Sequence, residues 1–202
     1  MNASGERRVV AGPAGAIECA VEEPAGGVRG VAVLCHPHPM HGGTMDNKVV
    51  QTLARALRQV GHRTVRFNFR GVGGSQGHWD AGRGEVDDAL AVVAAVRAPG
   101  LPLVLGGFSF GGYVASQAAR RLDPPAARLV LVGPATGNFD VAAVPEDTLV
   151  VHGEADDVVP LAATLDWARP QALPVVVVPG VGHFFHGQLP LLKSIVVRAF
   201  AA

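Results

Sequence analysis

The sequence predicts an α/β fold: a mostly parallel sheet with a leading antiparallel hairpin and helices on both faces. Three observations carry this. Short, continuous apolar runs recur along the chain without in–out alternation, the pattern of strands buried on both faces. Segments with apolar residues three and four apart lie between those runs, and that alternation builds a parallel sheet under helical cover. The chain has 202 residues, 49% of them hydrophobic, enough for one core of ordinary size and too little for two. No internal repeat or linker interrupts it.

Taken in order, Arg7–Ala11 and Ala16–Glu22 form the leading hairpin. Val31–Cys35, Thr64–Phe69, Leu103–Phe108, Leu129–Val132, Leu149–His152 and Val175–Val178 are the parallel strands. Val49, Val50, Leu53, Leu57 and Val60 mark the first helix, which Gly61 stops. Val86, Leu90, Val93 and Arg97 mark the second, with Glu85, Asp87 and Asp88 near its positive dipole end. Phe110–Leu122 is a helix opened by glycines and ended by Asp123-Pro124-Pro125, and Leu189–Phe200 is a terminal helix.

Charge and composition exclude several function classes. Lys+Arg 17 balances Asp+Glu 17, so the basic surplus of a nucleic-acid platform is missing. The Arg excess over Lys48 and Lys193 reads as compositional bias. Cys19 and Cys35 each sit in an apolar run, as buried thiols rather than a disulfide framework. No segment has the uninterrupted apolar length of a membrane span, and Met1–Gly15 has no signal-peptide core. The expectation is a cytoplasmic protein that engages neither membrane nor nucleic acid. Trp79, Trp167 and Tyr113 read as packing residues.

In a sheet of this kind ligands bind beyond the carboxyl ends of the strands, so the residues just after each apolar run are the candidates. Gly107-Phe108-Ser109-Phe110-Gly111-Gly112 joins a strand to a helix. A serine on such a turn is held up in the open, with the next residue's N–H facing a reacting carbonyl. A serine nucleophile needs a base, and the base an orienting carboxylate. His183 follows the last strand and a Pro179-Gly180-Val181-Gly182 turn. His186, three residues on, competes with it but faces solvent. Asp156 is the chosen acid among Glu154, Asp156 and Asp157, the other two reading as solvated loop or capping carboxylates.

An oxyanion hole needs two backbone donors. Phe110 supplies one. The second comes from the loop His36-Pro37-His38-Pro39-Met40-His41-Gly42-Gly43-Thr44, where the prolines lack an N–H and His38 is chosen. Met40, Phe139 and Val158 are candidate substrate-binding residues. His36, His38 and His41 also stand at H-x-H-x-x-H spacing, which resembles a metal signature of metallo-β-lactamase-like hydrolases. Met40 replaces the aspartate of that pattern, and no metal site is assigned; the bland alternative has His36 and His38 shaping a wall, with His41 exposed. Arg70-Gly71-Val72-Gly73-Gly74-Ser75-Gln76-Gly77 lacks the lysine of a phosphate loop and reads as a structural turn, with Arg70 as its anchor. Ser75 lies on no strand-to-helix elbow and is a poor nucleophile.

The His36–Thr44, Arg70–Gly77, Gly107–Gly112 and His152–Pro160 motifs together resemble the α/β-hydrolase superfamily, over nearly the whole chain. They look like the small bacterial serine hydrolases related to dienelactone hydrolases and carboxylesterases. Dienelactone hydrolases proper carry a cysteine where this chain has Ser109. The order Ser109, Asp156, His183 is the α/β-hydrolase order. The resemblance implies a single α/β-hydrolase domain over residues 1–202, Ser109 as nucleophile, His183 as base, Asp156 as its partner, and an oxyanion hole from the His38 and Phe110 N–H groups. Many members insert a helical lid after the sixth strand. Ala135–Thr148 is too short for one, so an open site for small or exposed esters is expected. The predicted function is a carboxylic-ester hydrolase with a small-molecule ester substrate and no cofactor. A thioesterase or peptidase on the same triad, a metal-dependent hydrolase using His36, His38 and His41, and a non-catalytic binding protein stand as alternatives.

Overall fold

The structure is a computed structural model that describes residues 5–201. Its elements are β1 Glu6–Gly12, β2 Gly15–Glu22, β3 Gly30–Cys35, α1 Lys48–Gln59, β4 His62–Phe67, α2 Arg83–Val96, β5 Leu103–Phe108, α3 Phe110–Ala119, β6 Arg128–Val132, β7 Leu149–Gly153, α4 Leu161–Ala168, β8 Val175–Val178 and α5 Leu189–Phe200. One eight-stranded sheet runs in the order β1-β2-β4-β3-β5-β6-β7-β8. The pairs β1/β2 and β2/β4 are antiparallel, and every later pair is parallel.

The continuous apolar runs have the cause assigned to them. Along β3, Val31, Val33 and Cys35 pack into one core cluster and Ala32 and Leu34 into the other. Successive side chains point to opposite faces, and both faces are covered. Residues of α2 and α3 join the first cluster, and residues of α1 and α5 the second. Cys19 and Cys35 are buried and free. Burial pushes the Cys19 thiol up to about 12 and raises the Cys35 thiol as well. No described helix is long and apolar enough to cross a membrane.

Helix starts follow local chemistry. The Asn47 side chain accepts from the N–H groups of Val49 and Val50 at the head of α1, satisfying donors that have no partner within the helix. The Glu85 carboxylate turns back to take the Gly82 N–H at 2.8 Å and the Asp80 N–H at 3.0 Å, closing the first turn of α2.

Two elements depart from expectation by more than one residue, and one helix is new. Strand β4 covers His62–Phe67 rather than Thr64–Phe69: Asn68 still gives its N–H to the Glu18 carbonyl, but Ser75 Oγ takes the Glu18 N–H and donates to the Asn68 carbonyl, which interrupts the ladder. Helix α3 ends at Ala119 rather than Leu122, and 120–122 continue as turns. Helix α4 was not expected. It spans eight residues behind Pro160 and buries only Thr164 and Ala168, too narrow an apolar stripe to register as periodicity. The 133–148 connection between β6 and β7 contains no helix or strand.

Candidate active site

Ser109 stands between β5 and α3 with φ 55° and ψ −119°. A non-glycine residue rarely takes this conformation, which stores on the order of 1–3 kcal/mol. Its neighbours permit it. A Cβ on Gly107 would collide with the Gly111 carbonyl, and one on Gly111 with the Cys35 carbonyl. The turn is therefore pressed against the end of β3, which only glycine allows. The Ser109 N–H is tied to the Val132 carbonyl at 2.9 Å. Its hydroxyl has no capping hydrogen bond and opens into a cleft of about 190 Å3.

His183, on the loop after β8, lines the same cleft, with His38, Gly43, Val158 and Phe184. Its Nδ1 lies 2.7 Å from Asp156 Oδ2. Asp156, on the loop after β7, spends its other oxygen on the Val158 and Val159 N–H groups, at 3.0 and 2.8 Å. Burial pushes the Asp156 carboxyl upward. The His183 bond and the Val159 and Val158 N–H groups outweigh that, so it is held below the usual carboxylate range and stays ionised. Gly133 lies beside the pair. A Cβ there would sit 3.3 Å from His183 Cε1 and 3.4 Å from Asp156 Oδ2.

The loop after β3 is fixed by its own bonds. His38 Nδ1 accepts the Met40 N–H at 3.2 Å, and the His38 carbonyl accepts the His41 and Gly43 N–H groups at 3.1 and 3.0 Å. Gly42 gives its N–H to Pro39. The Met40, His41, Gly42 and Gly43 donors are thus committed. Among the described residues the His38 and Phe110 N–H groups have no protein acceptor.

His36, His38 and His41 do not converge. His36 is fully buried; its Nδ1 lies 2.7 Å from the Pro37 carbonyl and its Nε2 accepts the Phe69 N–H at 3.1 Å. Burial pulls its pKa down to about 4, so the ring is a neutral strut with both nitrogens used. His38 and His41 stack at 4.4 Å and both line the cleft. Among the described residues no three His, Cys, Asp or Glu side chains are grouped as metal ligands.

The other sequence candidates are placed as follows. Val158 lines the Ser109 cleft. Phe139 is not among its lining residues; its ring packs on Tyr113 at 5.0 Å and Phe110 at 5.1 Å, because aromatic faces and edges pair with one another. Met40 is 65% exposed on a 3₁₀ turn and also lies outside the lining set. Glu154, Asp157 and His186 are exposed. Glu154 accepts the Gly180 N–H at 2.8 Å, which ties the two loops together. Arg70 makes a forked contact with Asp88 at 3.0 and 2.8 Å and anchors its turn to α2. Sequence reasoning missed two residues here. Phe184 packs edge-on against His183 and lines the cleft. His152 lies 3.4 Å from Asp156.

Comparison with known proteins bears on the same region. The family model for serine aminopeptidase, S33, matches residues 28–146. An uncharacterized protein of Rickettsia prowazekii, RP471, is 35% identical over 158 residues, covering 73% of this chain and 66% of that protein. The chain spans just under two thirds of the length of the curated relatives it matches. Among solved structures, XC6422 of Xanthomonas campestris, described as an α/β serine hydrolase without lid, superposes with TM-score 0.91 at 39% identity, over 98% of this chain and 94% of that one. An α/β serine hydrolase homologue from Coxiella burnetii gives TM-score 0.86 at 40% identity, over 98% of each chain.

Proposed function

The chain belongs to the serine aminopeptidase S33 family of α/β-hydrolases, and from that membership we propose that it is a serine hydrolase of carboxylic esters with a small acyl part. The reading rests above all on one observation. An uncommitted serine hydroxyl on a strained elbow shares a small cleft with a histidine whose far nitrogen is bonded to a buried, ionised carboxylate.

The chemistry follows from the roles. His183 Nε2 takes the Ser109 proton as Oγ attacks the acyl carbon. Asp156 fixes His183 with its proton on Nδ1 and balances the imidazolium that forms. The carbonyl oxygen becomes an oxyanion between the His38 and Phe110 N–H groups, where preorganised donors act without reorganisation. The tetrahedral intermediate collapses, and His183 returns the proton to the departing alcohol. Water, deprotonated by the same ring, then releases the acid and restores Ser109.

The cleft's size, about 190 Å3, and the plain 133–148 connection support short acyl groups over long lipids. The alcohol takes its proton from His183, so it leaves toward the adjoining hollow of about 490 Å3 beside Phe184 and Gln188. No carboxylate is among the residues lining the Ser109 cleft. Asp157 lines the adjoining hollow, on the leaving-group side rather than the acyl side where an aminoacyl α-ammonium would be seated, which favours an ester over an aminoacyl substrate.

The test is intact-mass analysis after incubation with a small fluorophosphonate, for wild type and Ser109→Ala. One adduct on wild type and none on the variant is expected. A folded wild type that takes no adduct overturns the reading. Short-chain ester, thioester and aminoacyl-amide substrates then rank the acyl class, with esters expected first.

A further inference from the structure

We propose that His152 is a positioning residue: a second, permanently neutral histidine that holds the Asp156 carboxylate in register with His183. The rate consequence rests on the esterase reading; the structural consequence does not.

His152 is the penultimate residue of β7, four residues before Asp156, and is completely buried. Its Nε2 lies 2.9 Å from the Val159 carbonyl and 3.4 Å from Asp156 Oδ2. A carbonyl only accepts, so Nε2 carries the proton. The Nε2–H bonds the Val159 carbonyl, and Asp156 Oδ2 lies beside it as an electrostatic neighbour rather than the hydrogen-bond acceptor. His152 Nδ1 is buried with no hydrogen-bond partner. Protonating it would bury a donor with nothing to receive it, and burial lowers the pKa of the ring further. His152 thus stays neutral while His183 cycles between neutral and charged.

The geometry gives this ring two tasks. It holds the Val159 carbonyl, and Val159 and Val158 are the residues whose N–H groups grip Asp156 Oδ1. It also sets the positive edge of the ring 3.4 Å from Asp156 Oδ2, the oxygen that His183 uses. The carboxylate is bound at both oxygens and cannot swing about its Cβ–Cγ bond. That positive edge slightly reduces the oxygen's accepting power toward His183. The titratable groups bearing on His152 are Asp156 from its own loop and His183 from the loop after β8.

The test uses three variants. His152→Gln places an amide N–H near the position of Nε2. His152→Phe fills the space without a donor, and His152→Asn keeps a donor that falls short. For Phe and Asn, kcat toward a short-chain ester is expected to fall roughly 10- to 100-fold with KM near wild type, the scale of a small misplacement of catalytic groups. The acid limb of the pH–kcat profile is expected to move to higher pH, since Asp156 Oδ2 then faces His183 alone. His152→Gln should restore both. The downfield proton resonance of the His183–Asp156 hydrogen bond is read in parallel, in folded protein without substrate. It should move further downfield in Phe and Asn and return in Gln. If Phe does not fold, Asn against Gln carries the comparison.

Wild-type kcat, pH profile and resonance in the donor-less variants would overturn the proposal. So would a loss shared equally by Gln, Phe and Asn, which would mark a purely structural residue. A wild type that takes no fluorophosphonate yet shows the predicted resonance shifts would sink the esterase reading and leave the positioning role standing.

Discussion

Ser109 and Ser75 sit in glycine-rich turns beyond the carboxyl ends of β5 and β4, the parallel strands on either side of β3, and their exposures are nearly equal, 8% and 7%. Their hydroxyls have opposite fates. Ser75 Oγ donates to the Asn68 carbonyl at 2.6 Å and accepts the Glu18 N–H at 2.9 Å, stitching its turn to the hairpin. Ser109 Oγ caps nothing and faces the cleft, on a backbone that glycines at 107 and 111 hold in strain. Burial does not separate a nucleophile from a structural serine. Prior commitment of the hydroxyl does, because a hydroxyl that already gives and takes a bond must break both before it can attack.

The two serines can be exchanged in their effects by single substitutions. Ser109→Ala should lower kcat by roughly 10⁶-fold and leave stability unchanged, since no protein bond is lost. Steady-state kinetics and a denaturant titration on one preparation check both halves. A Ser109→Ala protein with more than a small fraction of wild-type turnover would end the comparison. Asp156→Asn comes next, at roughly 10⁴-fold in kcat. An amide keeps the size but offers His183 the wrong hydrogen-bonding pattern and no balancing charge. A loss under tenfold would mean that the elbow acts without its partner loops.

The two regions also differed in how far the sequence disclosed them. The elbow could be read because its signal is local: glycines at 107 and 111 around Ser109, with an apolar run before and a helix after. Asp156 and His183 could be read because the order of strands puts both after parallel neighbours at one end of the sheet. The strands themselves were legible because cover on both faces leaves unbroken apolar runs. The fit of rings was not legible. Phe139 packs on Tyr113 and Phe110 of α3 and, at 5.9 Å, on His38 of the loop after β3, partners distant from it in sequence. His152 looked like the last residue of a buried strand. Its meaning comes from Val159 and Asp156, which fold back over it, and no spacing rule announces that contact.

Ser75→Ala is expected to reverse the Ser109 result. It leaves the Asn68 carbonyl and the Glu18 N–H without partners in a largely buried setting, at about 1–3 kcal/mol of stability. kcat should stay within about twofold, because the turn carries no reacting group. Urea titration beside the ester assay measures both. A large kcat loss without a stability loss would show that the 71–77 turn belongs to the site after all.

The smallest effect concerns the carboxylate in each region, and its sign is fixed by which state holds the proton. In the Ser75 region Glu18 is held below its ordinary pKa, first by the Gly74 N–H. In the Ser109 region Asp156 is also held below its ordinary pKa, but there burial acts first and in the opposite direction, and the His183 and backbone bonds must overcome it. Both groups therefore bind protons less readily folded than unfolded. Each contributes stability that is present above the unfolded pKa, about 4, and is lost as pH falls through the lower folded value. Wild-type stability should decline across that acid window, and less steeply in Glu18→Gln and in Asp156→Asn. The difference should be the smaller one for Asp156→Asn if burial consumes most of what the bonds supply. Denaturant titrations at several pH values between about 3 and 6 measure the slopes. A steeper decline in Asp156→Asn than in wild type would mean that the carboxylate is protonated in the folded state, and His183 would then lack the anion its role requires.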